Sequence, residues 1–157
     1  PVLGISCDSS EEKILAVLEN HGIYSRITEN GLGSNVSVDI WGSGNVMREF
    51  LHVNDMASAS IFVIGLDKSI YKSNTRPMLS HINVGTGKDV TIRKMAEMIK
   101  EITGFSGKIS YDQSKPDGAK RKLIDVSRLA NMGWSYSTEL AQGLRETYNS
   151  YLAELDR

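Results

Sequence analysis

Residues 41–56 constrain the fold of this chain more than any other stretch of the sequence. They place a glycine-flanked turn, an arginine, an apolar strand and the start of a helix in one short run. Before them, apolar and polar residues alternate over residues 36–40, which is the pattern of a half-buried strand. After them, Asn54 or Asp55 can cap a helix whose apolar face continues to Ile64. The stretch therefore predicts a strand, a turn, a second strand and a helix in succession.

Strand-like runs and helical patterns alternate along the rest of the chain. Apolar residues at helical spacing predict helices near residues 10–20, 92–103, 125–132 and 138–152, and strand-like runs lie at 80–84 and 108–111. Residues 65–75 have the composition of a polar connection. This alternation predicts an α/β or α+β fold of short strands and helices, with no linker that divides the chain.

Composition excludes several classes of protein. The 157 residues are 40% hydrophobic and 24% charged, with a formal charge of -1, so no overall field favours nucleic acid or an anionic membrane. Cys7 is the only cysteine, which rules out an intramolecular disulfide and a thiolate metal cluster. No apolar run has the length of a membrane span, and residues 1–10 lack the features of a signal peptide. We therefore expect no metal site, no membrane partner and a cytoplasmic location.

Three local features offer groups that can meet an anionic ligand. They are Arg48, the Gly85-Thr86-Gly87 turn, and the basic loop at residues 115–122. Trp41 can stack on a flat ring or a sugar, and Asp117 can accept hydrogen bonds from sugar hydroxyls. Each feature also has a structural interpretation, in which the tryptophan anchors a core, the basic run is solvated surface, and the glycine and aspartate form turns. Residues 30–35, with Gly31-x-Gly33, are interpreted as a turn because the dinucleotide fingerprint is incomplete there.

Three motifs resemble a known family. They are W-G-S-G-x-x-M-R-E-F-L-H-V-x-D-M-A from Trp41, P-M-L-S-H-I-N-V-G-T-G from Pro77, and S-K-P-D-G-x-x-R-K-L from Ser114. In this order and at this spacing, the chain resembles the C-terminal half of the GDP-L-fucose synthase family, within the extended short-chain dehydrogenases/reductases. The resemblance covers residues 38–157 and implies the substrate-binding part of that fold.

The resemblance implies a GDP-sugar site with four binding residues. Arg48 and Lys122 would neutralise the diphosphate, while Trp41 and Asp117 would help to seat the nucleotide sugar. Complete members of the family epimerise and reduce their GDP-linked substrate with NADPH, which they hold with an N-terminal glycine-rich fingerprint and a Ser, Tyr-x-x-x-Lys set. Neither pattern occurs in this sequence, so we predict no catalytic residue, no cofactor and no NADPH turnover by this chain alone. His52 and His81 lie in strand-like runs, where packed or hydrogen-bonded rings are expected.

The sequence therefore leaves alternatives for its organisation and role. Residues 1–37 are predicted to be a separate strand and helix segment that packs or dimerises, and residues 38–157 the substrate-binding domain. The first hypothesis for function is a GDP-sugar-binding module. The alternative is a non-catalytic folded or oligomerising protein in which the motif residues persist as determinants of the fold. A homodimer and a separate cofactor-domain chain are the protein partners considered; nucleic acid is not expected as a partner.

Overall fold

The computed structural model describes residues 4–6, 8–25 and 36–155. The chain divides into two compact units, and it passes between them more than once. The first unit comprises Pro1–Asn45 and Gly104–Gly118, and the second comprises Val46–Thr103 and Ala119–Arg157. The mixed α/β organisation predicted from the alternation of patterns is confirmed. The predicted domain boundary between residues 37 and 38 falls inside a strand, and that division stays a prediction.

The described residues contain six helices and six strands. They are α1 (Glu11–Asn20), β1 (Ile23–Ser25), β2 (Val36–Trp41), β3 (Met47–Glu49), α2 (Val53–Gly65), α3 (Lys68–Asn74), β4 (Asp89–Thr91), α4 (Ile92–Thr103), β5 (Lys108–Asp112), β6 (Arg121–Lys122), α5 (Ser127–Asn131) and α6 (Leu140–Leu155). The helices predicted from apolar spacing are all present, with boundaries shifted by a few residues. The polar connection predicted for residues 65–75 contains α3, which the sequence pattern did not indicate.

The first unit is built on a three-stranded sheet in the order β1-β2-β5. The central strand β2 is antiparallel to β1 and parallel to β5, with Trp41 paired to Asp112 at one end of the parallel ladder. Helix α1 packs beside β1. Ser10 caps α1 by accepting a hydrogen bond from the Lys13 backbone N–H at 3.4 Å. Trp41 therefore lies at the end of the sheet where β5 also ends.

The second unit contains a smaller sheet in the order β4-β3-β6, with β3 antiparallel to β4 and parallel to β6. Its apolar core lies among the helices. The buried side chains Ala59, Leu129 and Trp134 are packed by partly buried neighbours: Leu51, Phe62, Val63, Ile82, Val84 and Tyr136. Trp134 Nε1 also donates a hydrogen bond to Ser58 Oγ at 3.2 Å. This core fixes one face of α2.

Two sequence predictions in the second unit are wrong. Residues 80–84 form no strand, because they have no ladder partner, and Ile82 and Val84 instead pack against the core. The cap of α2 is His52, whose Nδ1 accepts from the Asn54 backbone N–H at 3.4 Å, instead of Asn54 or Asp55. Asp55 is buried, and it accepts hydrogen bonds from Ser137 and Thr138, just before α6.

Candidate ligand-binding residues

Trp41 is an exposed aromatic residue at the end of β2 in the first unit. Its side chain is 74% exposed, so the interpretation as a core anchor is wrong. The ammonium group of Lys115 lies 5.4 Å from the centre of the indole ring, within cation-π distance. Sequence reasoning assigned Lys115 only to a basic loop, because nothing in its spacing indicates which ring it meets. Trp41 therefore presents an aromatic surface that a planar group can reach.

The loop that carries Lys115 is anchored at its start by Asp112. The Asp112 carbonyl accepts from the Gly42 backbone N–H at 2.9 Å and from that of Lys115 at 3.2 Å. Its carboxylate accepts from the Ser114 hydroxyl at 2.6 Å and the Ser114 backbone N–H at 3.0 Å, and these bonds lower the pKa of Asp112. These hydrogen bonds hold the backbone of Lys115 beside Trp41, and the Lys115 side chain reaches over the ring.

Asp117 closes the same loop onto the turn that follows Trp41. Its two carboxylate oxygens accept from the Ser43 hydroxyl at 2.7 Å and the Ser43 backbone N–H at 2.8 Å, which holds the pKa of Asp117 below its usual value. Gly42 has a φ of +85°, and a Cβ atom there would collide with the Asp117 carboxylate. The structure therefore brings Trp41 and Asp117 together, with Asp117 holding the turn.

Arg48 and Lys122 lie side by side in the second unit. They occupy paired positions on the neighbouring parallel strands β3 and β6, so their side chains leave the sheet on the same face. Arg48 Nη1 donates to the carbonyl oxygens of Met47 at 2.6 Å and Ala119 at 2.8 Å. Among the residues that the structure describes, no carboxylate forms an ion pair with either cation. Two neighbouring positive charges are therefore left without a compensating acidic side chain.

Arg121 shows that the basic run is divided between the two faces of this sheet. It is the neighbour of Lys122 in β6 and alternates to the opposite face, where it forms a bidentate pair with Asp89 of β4 at 2.5 and 3.2 Å. The Arg121 guanidinium holds the pKa of Asp89 below its usual value. The run is thus neither uniformly solvated surface nor uniformly available to a ligand.

The Gly85-Thr86-Gly87 turn already holds an anionic group of the protein itself. Glu49 Oε1 accepts from the backbone N–H groups of Thr86 at 2.5 Å and Gly87 at 2.7 Å. Glu49 Oε2 accepts from the Ile124 N–H at 3.2 Å. A Cβ atom on Gly85 would collide with this carboxylate. The turn is therefore not a free phosphate site, and its glycines serve the close approach of Glu49.

The two histidines predicted to be packed or hydrogen-bonded differ in their surroundings. The side chain of His52 is 10% exposed and caps α2, as expected for a hydrogen-bonded ring, whereas His81 is exposed, contrary to the packed interpretation. The turn predicted at residues 30–35 lies outside the described residues. Within the described ranges no group of three or more His, Cys, Asp or Glu side chains is arranged to hold a metal ion. None of the helices described there is long and apolar enough to cross a membrane.

Comparison with known proteins identifies relatives of this chain. Residues 18–85 match the NAD dependent epimerase/dehydratase family. The chain is 53% identical over 120 residues to a GDP-L-fucose synthase of Escherichia coli (strain K12), a match that covers 76% of this chain and 37% of the relative. It is 45% identical over 130 residues to GDP-L-fucose synthase 1 of Arabidopsis thaliana, covering 83% of this chain and 38% of the relative.

A solved structure agrees with these matches. The crystal structure of a GDP-6-OMe-4-keto-L-xylo-heptose reductase from C. jejuni superposes with a TM-score of 0.77 at 34% identity, and the match covers 93% of this chain and 39% of that one. The chain thus spans well under half the length of the relatives it matches.

Proposed function

Because the chain belongs to the NAD-dependent epimerase/dehydratase family, among the relatives of GDP-L-fucose synthase, we propose that it binds the diphosphate of a GDP-sugar. The names of these three relatives share guanosine diphosphate and differ in the sugar, which is fucose in two and a heptose in the third. The proposal therefore concerns the class of GDP-sugars and leaves the individual sugar open.

The observation that carries this proposal is the Arg48 and Lys122 pair. Like charges at directly paired strand positions repel each other, and no described carboxylate compensates them. A diphosphate would supply the missing negative charge. The guanidinium can donate two parallel hydrogen bonds to phosphate oxygens, and the ammonium adds a mobile point charge. Because Lys122 is exposed, it is free to reach an incoming anion.

Calorimetry with GDP, GDP-mannose and UDP-glucose tests the proposal. We expect the two guanine ligands to bind, and Arg48→Ala and Lys122→Ala each to weaken GDP binding at least tenfold, or about 1.4 kcal/mol. Arg121→Ala is the matched control, since Arg121 is a cation of the same strand on the opposite face and already has Asp89 as a partner. The absence of GDP binding at millimolar concentration, or equal affinity for the uridine ligand, would overturn the proposal.

Trp41 is proposed to contribute a stacking surface for the same class of ligand. Exposed indole rings stack on planar groups and on sugars, and their fluorescence reports such contacts. GDP should quench the emission of Trp41, and Trp41→Phe should abolish that change, because Trp134 is only 8% exposed and lies in the core. Unchanged GDP quenching in Trp41→Phe would exclude Trp41 as the stacking residue.

Asp117 supports the alternative in which a motif residue is a determinant of the fold. Both of its carboxylate oxygens accept hydrogen bonds from Ser43, so we assign it to positioning the turn after Trp41. Asp117→Asn should lower the unfolding free energy of the chain and weaken GDP binding only as far as the turn loosens. A large loss of affinity with unchanged stability would instead assign Asp117 a direct contact with the ligand.

We further propose that this chain alone does not reduce a GDP-sugar with NADPH. The Gly85-Thr86-Gly87 turn cannot hold a cofactor pyrophosphate, because Glu49 already accepts from its N–H groups. An assay of NADPH oxidation with GDP-4-keto-6-deoxy-mannose, with the Escherichia coli relative as positive control, should give no turnover with this chain. Any turnover that scales with the concentration of the purified chain would contradict the proposal.

A further inference from the structure

Lys115 covers part of an aromatic ring that is otherwise open to solvent. Its ammonium group lies 5.4 Å from the centre of the indole of Trp41, a residue that is 74% exposed. Among the residues that the structure describes, no carboxylate forms an ion pair with this ammonium. The acidic side chains of the same loop, Asp112 and Asp117, accept hydrogen bonds from serines. The indole ring is therefore the partner that the structure gives to this positive charge.

The backbone of Lys115 is held in place, whereas its side chain can turn. The Lys115 N–H donates to the Asp112 carbonyl at 3.2 Å, and the next residue, Pro116, has its φ fixed by its ring. Asp117 then binds the turn that follows Trp41. The four-carbon stem of a lysine is flexible and ends in a compact charge. The ammonium can therefore leave the indole while the backbone that carries it stays beside the ring.

A planar base can displace the ammonium from the indole ring. At an exposed site, a cation–π contact is weaker than the stacking of a nucleobase on an aromatic side chain. A base that stacks on Trp41 therefore gains more than the loss of the Lys115 contact costs. Because the backbone of Lys115 is held beside the ring, the displaced ammonium remains within reach of the edge of the stacked base.

An ammonium group distinguishes purine bases by the atoms on their edges. It has three donors and no acceptor, so it binds only to acceptors. Guanine presents two neighbouring acceptors, O6 and N7, whereas adenine presents N7 beside an amino group, which is itself a donor. A lysine or arginine that donates to O6 and N7 of guanine is the commonest base-specific contact in protein–DNA complexes. A lysine that moves from an indole ring to the edge of a stacked purine therefore favours guanine over adenine.

We infer that Lys115 recognises the base of the ligand and selects guanine over adenine. Its ammonium covers the Trp41 indole and, when a base stacks there, exchanges this ring for the O6 and N7 atoms of the base. Recognition of the base by Lys115 rests on the proposed function for the class of ligand, but both residues that carry it belong to the first unit. Arg48 and Lys122, which are proposed for the diphosphate, belong to the second unit. Ligands without phosphate therefore test the base contact separately from diphosphate binding.

Inosine and adenosine provide this test, because they lack phosphate and differ at the atoms that Lys115 is proposed to contact. Inosine has the O6 and N7 acceptors of guanine, whereas adenosine has an amino group in place of O6. Quenching of Trp41 fluorescence should give a dissociation constant about fivefold lower for inosine than for adenosine. In Lys115→Met, which keeps the length of the side chain but loses the donors, the two constants should become equal. Lys115→Arg should retain the preference, since a guanidinium also donates to O6 and N7.

Lys108→Met is the matched control in the same unit. Lys108 is an exposed lysine at the start of β5, and its ladder partner is Ser37, whereas Trp41 pairs with Asp112 at the other end of that strand. The variant removes the same charge away from the indole, so it should leave the preference for inosine unchanged. Circular dichroism of each variant confirms that the chain remains folded.

Three results would overturn the role of Lys115 in recognising the base. They are the absence of quenching by either nucleoside, equal affinity of the wild type for both, and a preference for inosine that survives in Lys115→Met. Calorimetry with GDP and ADP separates this failure from that of the proposed function. GDP that binds through Arg48 and Lys122 without preference over ADP would leave the diphosphate contact standing and remove the base contact alone. An equal loss of affinity for GDP and ADP in Lys115→Met would assign Lys115 to the phosphates and likewise contradict its contact with the base.

Discussion

At the residue scale, Asp55 is the side chain whose replacement has the most predictable consequence. Its buried carboxylate accepts from the Ser137 N–H at 2.9 Å, the Ser137 hydroxyl at 2.7 Å and the Thr138 N–H at 3.0 Å. In Asp55→Asn an amide replaces one acceptor oxygen with a donor, so we expect a loss of about 2–3 kcal/mol in unfolding free energy, measured by urea denaturation. Asp67→Asn, at the exposed cap of α3, should cost about 1 kcal/mol or less. Equal losses in the two variants would contradict the prediction.

Asp55 also predicts how stability depends on pH. Burial by itself raises the pKa of Asp55, but the hydrogen bonds from Ser137 and Thr138 together lower it below the usual value of 3.8. Because the folded pKa is the lower one, the carboxylate contributes stability above the unfolded pKa, and this contribution is lost as pH falls through the folded value. Below pH 4, the melting temperature of the wild type should therefore fall more steeply with decreasing pH than that of Asp55→Asn. Parallel profiles for the two proteins would exclude this role of Asp55.

The sequence could identify Asp55 as a polar residue at the start of a helix. It could not show that the Asp55 carboxylate is buried and accepts hydrogen bonds from the residues just before α6. Its partners Ser137 and Thr138 are more than eighty positions away, and helix capping rules use only local neighbours. The same limit applies to Glu49, whose partners lie near residues 86 and 124. Only the family resemblance named Arg48 and Lys122 as one set, since no local pattern connects strands β3 and β6.

At the element scale, the turn after β2 depends on one glycine. Gly42 has a φ of +85°, and its missing side chain leaves room for Asp117. Gly42→Ala should therefore cost about 1–3 kcal/mol in stability and displace Trp41, which iodide quenching of fluorescence can detect. Gly65→Ala is the matched control, because Gly65 ends α2 with ordinary backbone angles and open space around it. It should stabilise the chain by about 0.5 kcal/mol. If Gly42→Ala left the unfolding free energy unchanged, the turn would have to accommodate a side chain at this position.

Apolar spacing predicted the helices because each buries one face, a property that a local window contains. The caps by Ser10 and Thr91 obey local rules of the same kind, since each hydroxyl accepts from a backbone N–H three residues further on. The error at residues 80–84 has a different origin. Apolar residues entering a core give the same alternation whether or not a neighbouring strand supplies a ladder, and pairing is a property of distant segments. Helix α3 was missed because its residues are polar and its cap, Asp67, resembles a turn former.

At the scale of the whole molecule, the division into two units could not be predicted from composition. The chain passes between the units at residues 45, 103 and 118, and none of these passages is marked by a low-complexity linker. Continuous patterns such as residues 41–56 begin in one unit and end in the other. A pattern that is continuous in the sequence is therefore distributed over two units of the structure.

The two units should differ in their resistance to local opening. All buried apolar side chains among the described residues, Ala59, Met95, Leu129 and Trp134, belong to the second unit. The sheet of the first unit is held mainly by its ladders and by the hydrogen bonds of Asp112 and Asp117 with their neighbours. Amide protection follows buried apolar contact, so hydrogen exchange should be faster for β2 and β5 than for α2 and α4. Equal protection would show that both units open only in global unfolding.

Binding of the proposed ligand should also change the rate of hydrogen exchange. A diphosphate bound by Arg48 and Lys122 stabilises the state that binds it, by about 2.7 kcal/mol at a ligand concentration one hundred times the dissociation constant. Exchange at β3 and β6 should therefore slow on addition of GDP, and Lys122→Ala should remove most of that protection. Arg121→Ala should retain it, because its side chain leaves the sheet on the face that carries Asp89. Protection by GDP that is unchanged in Lys122→Ala would place the diphosphate elsewhere on the chain.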